Sequence, residues 1–311
     1  MKRTLLIIVS ILLLSQVNSF GQCCSAGNPS TFSFGDQGTL KARFLQISSA
    51  YKIGYSGTYF NGHTPIEMGF SSPASYSFMN VALACGISNK ITLMADAGYF
   101  FVKKQENPAP SPPDKGNGLG DASLDVKYRL LKSMKHRIEL TVHSGIRLPV
   151  GVFDQEKNGV KLPITVQPSS GSFVFLEGIA CSTSLKESKW RFFSAVNLEI
   201  PHLIDSRNFY YRYGNLYNLS IATAYLMHKR FMPSVQLQAE FRDHASREDN
   251  NKVDASGYKL IFLTPQIEAE LFKSWNMQVF MDLPVYRYFN GIQLANSYRA
   301  GIKLIKRFSI L

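Results

Sequence analysis

From Asp121 to Leu130 the chain alternates: Leu124, Val126, Tyr128 and Leu130 fall on one side of an extended backbone, and Asp121, Ser123, Asp125, Lys127 and Arg129 on the other. A helix, with a period of 3.6, cannot separate those two sets, so the segment predicts a β-strand with one apolar and one charged face. The pattern recurs where Ile138, Leu140, Val142, Ile146 and Leu148 oppose Glu139, Thr141, His143 and Arg147. It returns where Val235, Leu237, Ala239 and Phe241 oppose Gln236, Gln238, Glu240 and Arg242. Read along the whole chain, this alternation predicts about twelve strands, near 40–51, 75–87, 91–103, 121–131, 137–148, 172–185, 190–200, 216–227, 232–243, 258–272, 275–285 and 297–308.

The connections alternate too. Short polar turns follow the even-numbered strands, at Ser88 to Lys90, Lys132 to His136, Lys186 to Lys189, His228 to Arg230 and Lys273-Ser274. Long segments rich in Gly, Pro, Asn and Ser follow the odd-numbered ones, at 52–74, 104–120, 149–171, 201–215, 244–257 and 286–296. This is the plan of an all-β, closed antiparallel transmembrane β-barrel, with short periplasmic turns and long extracellular loops. Strands near ten residues suit a tilted crossing of the hydrocarbon layer. Closure is required because an open sheet in lipid would leave edge N–H and C=O groups without partners, at several kcal/mol each. Aromatic residues at strand ends, in Tyr99-Phe100-Phe101, Phe192-Phe193 and Tyr286 to Phe289, are expected to form interfacial girdles.

Ahead of the barrel, Met1-Lys2-Arg3-Thr4 leads into the apolar run Leu5 to Leu14, and Ser19-Phe20-Gly21 offers small residues for cleavage. Residues 1–21 therefore read as a signal peptide, too short for a spanning helix. Gln22 before Cys23 fits a lipidation site poorly. Residues 22–38 read as a periplasmic segment or a lumen plug, and 39–311 as the outer-membrane barrel.

The net charge of +12 fits lysines in turns and arginines in a polar lumen, or an attraction to anionic lipid headgroups or acidic solutes. The basic residues are dispersed and carry no nucleic-acid-binding motif, so outer-membrane lipid and a small solute are the expected partners; oligomeric state stays open. Four cysteines make no disulfide framework in a chain this long. Cys85 and Cys181 fall within predicted strands as small buried hydrophobes. Cys23-Cys24 could hold a soft metal or an intermolecular disulfide, but two thiols alone do not make a tetrahedral site. No metal and no cofactor is expected.

Candidate chemistry is sparse, and no enzyme is expected. His143 and Ser144 are neighbours in a strand, so their side chains point to opposite faces and cannot form a base and nucleophile pair. Glu268 and Glu270 share a face and read as part of a charge network balanced by Arg or Lys across the lumen. The run Gly116-Asn117-Gly118-Leu119-Gly120 precedes a strand and not a helix, which argues against a phosphate loop and for a turn returning the chain to the sheet.

The segment Gly116 to Asp121 leading into Asp125 to Leu131, with Gly145 to Gly151, Gln167 to Ser172, Tyr211 to Asn215 and Leu283 to Leu294, resembles the barrel family named for the meta-cleavage pathway of phenol degradation. The likeness covers about 116–311; Ser169, where the family tends to have Gly, and the Cys23-Cys24 start depart from it. It implies an outer-membrane transporter for small solutes, aromatic or hydrophobic ones among them, distantly similar to long-chain fatty-acid transporters. On the reading of the strands, Asp121, Asp125, Lys127, Arg129, Glu139, His143, Arg147, Glu240, Arg242, Glu268, Glu270, Arg299 and Lys303 line the lumen and set its selectivity. Charges of both signs argue against a single-ion filter. Loops 149–171 and 286–296 are expected at the mouth. The alternative is a structural or ligand-binding barrel with a plugged lumen.

Overall fold

The computed structural model describes residues 38–69, 72–185, 188–206, 209–227, 230–248 and 251–309. The signal peptide expected over 1–21, Cys23-Cys24 and all of 22–38 except Gly38 lie outside the described residues.

The chain forms β1 (Phe44–Gly62), β2 (Thr64–Ile66), β3 (Ala74–Gly86), β4 (Ile91–Gln105), β5 (Asp114–Ser133), β6 (Ile138–Leu148), β7 (Glu156–Lys157) and β8 (Val160–Lys161). It continues as β9 (Val174–Ser184), β10 (Trp190–Pro201), β11 (Ile204–Ser206), β12 (Phe209–Tyr211), β13 (Leu216–Tyr225), β14 (Phe231–Arg242), β15 (Tyr258–Phe272) and β16 (Trp275–Ser309). The long strands join in chain order as β1-β3-β4-β5-β6-β9-β10-β13-β14-β15-β16, and β16 closes the sheet on β1. Every pairing is antiparallel, β2 adds a short strand beside β1, and the pieces β7-β8 and β11-β12 form two small ribbons in the loops. The chain is a closed antiparallel β-barrel.

The last strand supplies two staves. A straight strand of 35 residues would reach over 100 Å, several times the thickness of a bilayer. Instead its first part pairs with β15, from Trp275 to Phe289, and its second pairs with β1, from Phe289 to Ser309. Arg299 Nε lies 2.9 Å from Asp282 Oδ2, a contact that only a fold-back near Asn290-Gly291 allows. With this hairpin the eleven long strands make twelve crossings, and the segment 286–296 expected as a long loop is almost all strand.

Several strands also run beyond their predicted ends. β1 continues to Gly62 where the alternation predicted an end near 51, and β5 starts at Asp114, so Gly116 to Gly120 lie within a strand and not in a turn. The cause is that strand extensions above the bilayer need backbone pairing but no apolar outer face. Their outward positions, such as Thr58 and Asn117, therefore lose the period-two signal.

Outside, the barrel is mainly apolar, with Glu177 of β9 on that face accepting from Ser144 Oγ at 2.7 Å. On β5, Leu124 is 50% exposed and Val126 46%, while Asp125 between them is 4% exposed. A soluble protein would reverse that assignment; here hydrocarbon covers the outer face. Trp190, Tyr225, Phe231, Phe272 and Trp275 ring the periplasmic end, with Trp190 and Tyr225 centroids 4.9 Å apart. Phe100 and Phe289, expected in the girdles, face inward and are fully buried. Cys85 and Cys181 are free thiols, half-buried on the outward-facing positions of β3 and β9 and not in a core.

Candidate functional site: the barrel interior

Alternation delivers every second side chain to the interior, many of them polar, and a closed sheet leaves those groups nowhere else to go. They must satisfy one another, because a buried polar group without a partner costs on the order of 1–3 kcal/mol. Arg147 on β6 meets Glu199 on β10 with both terminal nitrogens, at 2.9 and 3.0 Å. Arg299 reaches Glu240 on β14 at 3.1 Å while also holding Asp282, and its guanidinium lies 4.0 Å from the Phe262 ring centroid. His143 Nδ1 lies 3.1 Å from Asp125 Oδ2, and its Nε2 lies 2.9 Å from Asn197 Oδ1.

The remaining expected lumen residues also find places on the inner face. Asp121 accepts from Ser169 Oγ at 2.5 Å and from the Ser170 amide at 3.1 Å. Arg242 donates to the Tyr258 hydroxyl at 3.3 Å and to Gly214 O at 3.4 Å. Glu139 sits 3.6 Å from Arg129 and 3.5 Å from Lys132, and accepts from the Thr39 amide. Lys127 and Lys303 are buried inward. Glu268 and Glu270 depart from expectation: Glu268 accepts from Asn276 Nδ2 at 2.7 Å and has no basic partner among the described residues, and Glu270 is exposed at the rim where β15 ends.

Alternation alone did not single out several interior groups. Glu199, Asp282 and Asp96 carry the carboxylates that complete the network, and Gln266 and Gln278 join Gln236 and Gln238, which the alternation places on the polar face, in a chain of amides ending on Glu240. Asp96 has the inward parity of β4, but Met94, Gly98 and Phe100 beside it are also inward and hide the pattern.

Toward the extracellular end the interior changes character. Tyr76, Phe78 and Phe100 pack together, with Phe78 and Phe100 centroids 4.5 Å apart, and Tyr258, Leu260, Phe262, Phe289 and Ala295 form a second buried cluster. Above them the loop 149–173 turns into the mouth. Gln167, Ser169 and Ser172 are 0% exposed, and Gln167 O accepts from Lys103 Nζ at 2.9 Å. A Cβ at Gly116 would stand 2.0 Å from Val166 O, so the glycine that looked like a turn signal is the space the loop occupies. Ile204, Tyr211, Tyr213 and Ala245, with Phe153, Ile164, Phe209 and Val253, roof this loop with an apolar cap, and burial there pushes the Tyr213 phenol up. Lys161 lies 4.4 Å from the Phe153 ring centroid and 5.1 Å from that of Phe209, tying the cap's edge. Of the two loops expected at the mouth, 149–171 is there, folded inward; 286–296 is not a loop.

A closed cylinder, apolar outside and lined with paired charges inside, matches the crystal structure of an outer membrane channel from Pseudomonas putida F1 at a TM-score of 0.72 and 11% identity, over 89% of this chain and 100% of that one. The fold is that of an outer-membrane β-barrel. The translocator domain of the autotransporter NalP from Neisseria meningitidis aligns at a TM-score of 0.47 and 8% identity, over 86% of this chain and 90% of that one. The Pseudomonas putida toluene transporter TodX aligns at 0.46 and 9%, over 92% and 96%. No family model and no curated protein matches the sequence.

Proposed function

We propose that this barrel is a passive outer-membrane channel for small solutes, held closed in the described conformation by its own extracellular loop. The observation that carries the reading is the barrel interior: paired charges and amides line the wall, and the mouth is filled by one covalently continuous loop, 149–173, held by hydrogen bonds at Lys103, Asp121 and Asn117. Such a loop can withdraw without breaking the sheet. The whole-length likeness of the fold to the Pseudomonas putida channel supports the same reading. The inward rings of Tyr76, Phe78, Phe100 and Phe262 support aromatic or other hydrophobic molecules among the solutes, since they are packed away in the closed conformation and would offer stacking surface at the end where a solute enters once the loop withdraws.

One observation favours a second reading, a ligand-binding or structural barrel: inner-face side chains such as Asp121, Lys127 and Phe262 are nearly inaccessible. Liposome swelling with solutes of graded size separates the two. The channel admits small solutes, small aromatics among them, with a sharp size cut-off; a barrel sealed to every solute is the structural one.

A further inference from the structure

The outer wall has a recess that lipid solvation alone does not explain. On the outward faces of four adjacent strands, Ser194 pairs with Cys181 on one side and Ile221 on the other, and Ile221 pairs with Leu237. One row nearer the periplasm, Phe192 lies between Thr183 and Thr223, and Thr223 pairs with Val235. Small side chains at 181, 183 and 194 sink the surface, larger ones at 192, 221 and 237 stand around it, and a groove of about 400 Å³ results.

The groove leads toward the periplasmic interface, where the Trp190 and Tyr225 rings meet at its foot. Just beyond lie exposed Lys189 and Arg230, and the neighbouring turn is tied in by a hydrogen bond from Arg137 Nη1 to Leu185 O at 3.2 Å. Among the described residues of these turns Lys135, Arg137, Lys189, Arg191 and Arg230 carry positive charge, while Lys132 is paired with Glu139. An apolar trough ending in a concentrated positive edge has the form of a phospholipid: one acyl chain, then an anionic phosphate.

We propose that this groove binds an anionic phospholipid of the periplasmic leaflet, with an acyl chain across Ser194 and Thr223 and the phosphate at the Lys189, Arg230 and Arg137 edge. A second copy of the chain is a poor occupant, because a twofold contact here would bring two positive edges together. The inference rests on the membrane-embedded barrel and is independent of whether the lumen conducts.

The chain has two tryptophans, so Trp275→Phe leaves Trp190 as the sole reporter beside the groove. In phosphatidylcholine vesicles doped with acyl-brominated phosphatidylglycerol or acyl-brominated phosphatidylcholine, Trp190 quenching should show roughly fivefold enrichment of the anionic lipid over its mole fraction. Ser194→Phe, which fills the trough, should abolish the enrichment. The pair Lys189→Gln and Arg230→Gln, which leaves the wall intact, should reduce it several-fold in protein whose fold is verified by heat-shifted electrophoretic mobility. Quenching that follows mole fraction alone, or enrichment that survives Ser194→Phe, overturns the proposal. So does equal enrichment at Trp275 in the Trp190→Phe protein, since Trp275 lies outside the groove beside Lys306 and would report a general basic collar.

Discussion

At the scale of single residues, the interior is organised by charge pairs that have lost most of their water. Arg299 is the clearest case, because it joins Glu240 and Asp282 at once. Removing one partner from a buried pair costs about 3–5 kcal/mol, since the other charge is left unpaired. Arg299→Ala should therefore lower the urea midpoint, and a conducting form should become cation-selective, seen as a shifted reversal potential in asymmetric potassium chloride. Arg299→Lys should restore the sign of the charge and with it most of the selectivity. The polarity of such positions is legible in sequence where polar inward residues alternate with greasy outward ones, as on β5 and β14; the partner is not. Arg147 finds Glu199 and His143 finds Asn197 through strand order and register, which no local pattern encodes.

At the scale of elements, staves are specified by alternation and their ends are not. The spans 137–148, 190–200 and 258–272 come within a residue of β6, β10 and β15, since lipid demands an apolar side chain at every second position there. Where β1, β5 and β16 leave the bilayer that demand stops, and turn-rich composition at Gly116 to Gly120 or on either side of the Asn290-Gly291 fold-back reads as loop although the flanking backbone is paired. Packing between staves is testable at Gly98, where a Cβ would stand 2.1 Å from Phe78 Cζ. Gly98→Ala should cost about 1–3 kcal/mol through overpacking. Gly69→Ala, with nothing within 4 Å, should stay within about 0.5 kcal/mol of the parent in the same urea titration.

At the scale of the whole molecule, the barrel is two-zoned, with paired charges across its middle and rings and loop residues toward the outside. The alternation predicted the cylinder and its polarity but not its closure at the mouth. The loop's buried residues Gln167, Ser169 and Ser172 are polar and carry no period, so nothing in their sequence marks them as interior. They nevertheless define the proposed mechanism, in which conduction requires this segment to leave the mouth. Single-channel recording from planar bilayers, comparing the intact chain with one whose residues 154–168 are replaced by a short Gly-Ser linker, tests that claim directly. The account predicts rare, small openings for the intact barrel and a sustained, severalfold larger conductance once the loop is gone; silence from both barrels would contradict it.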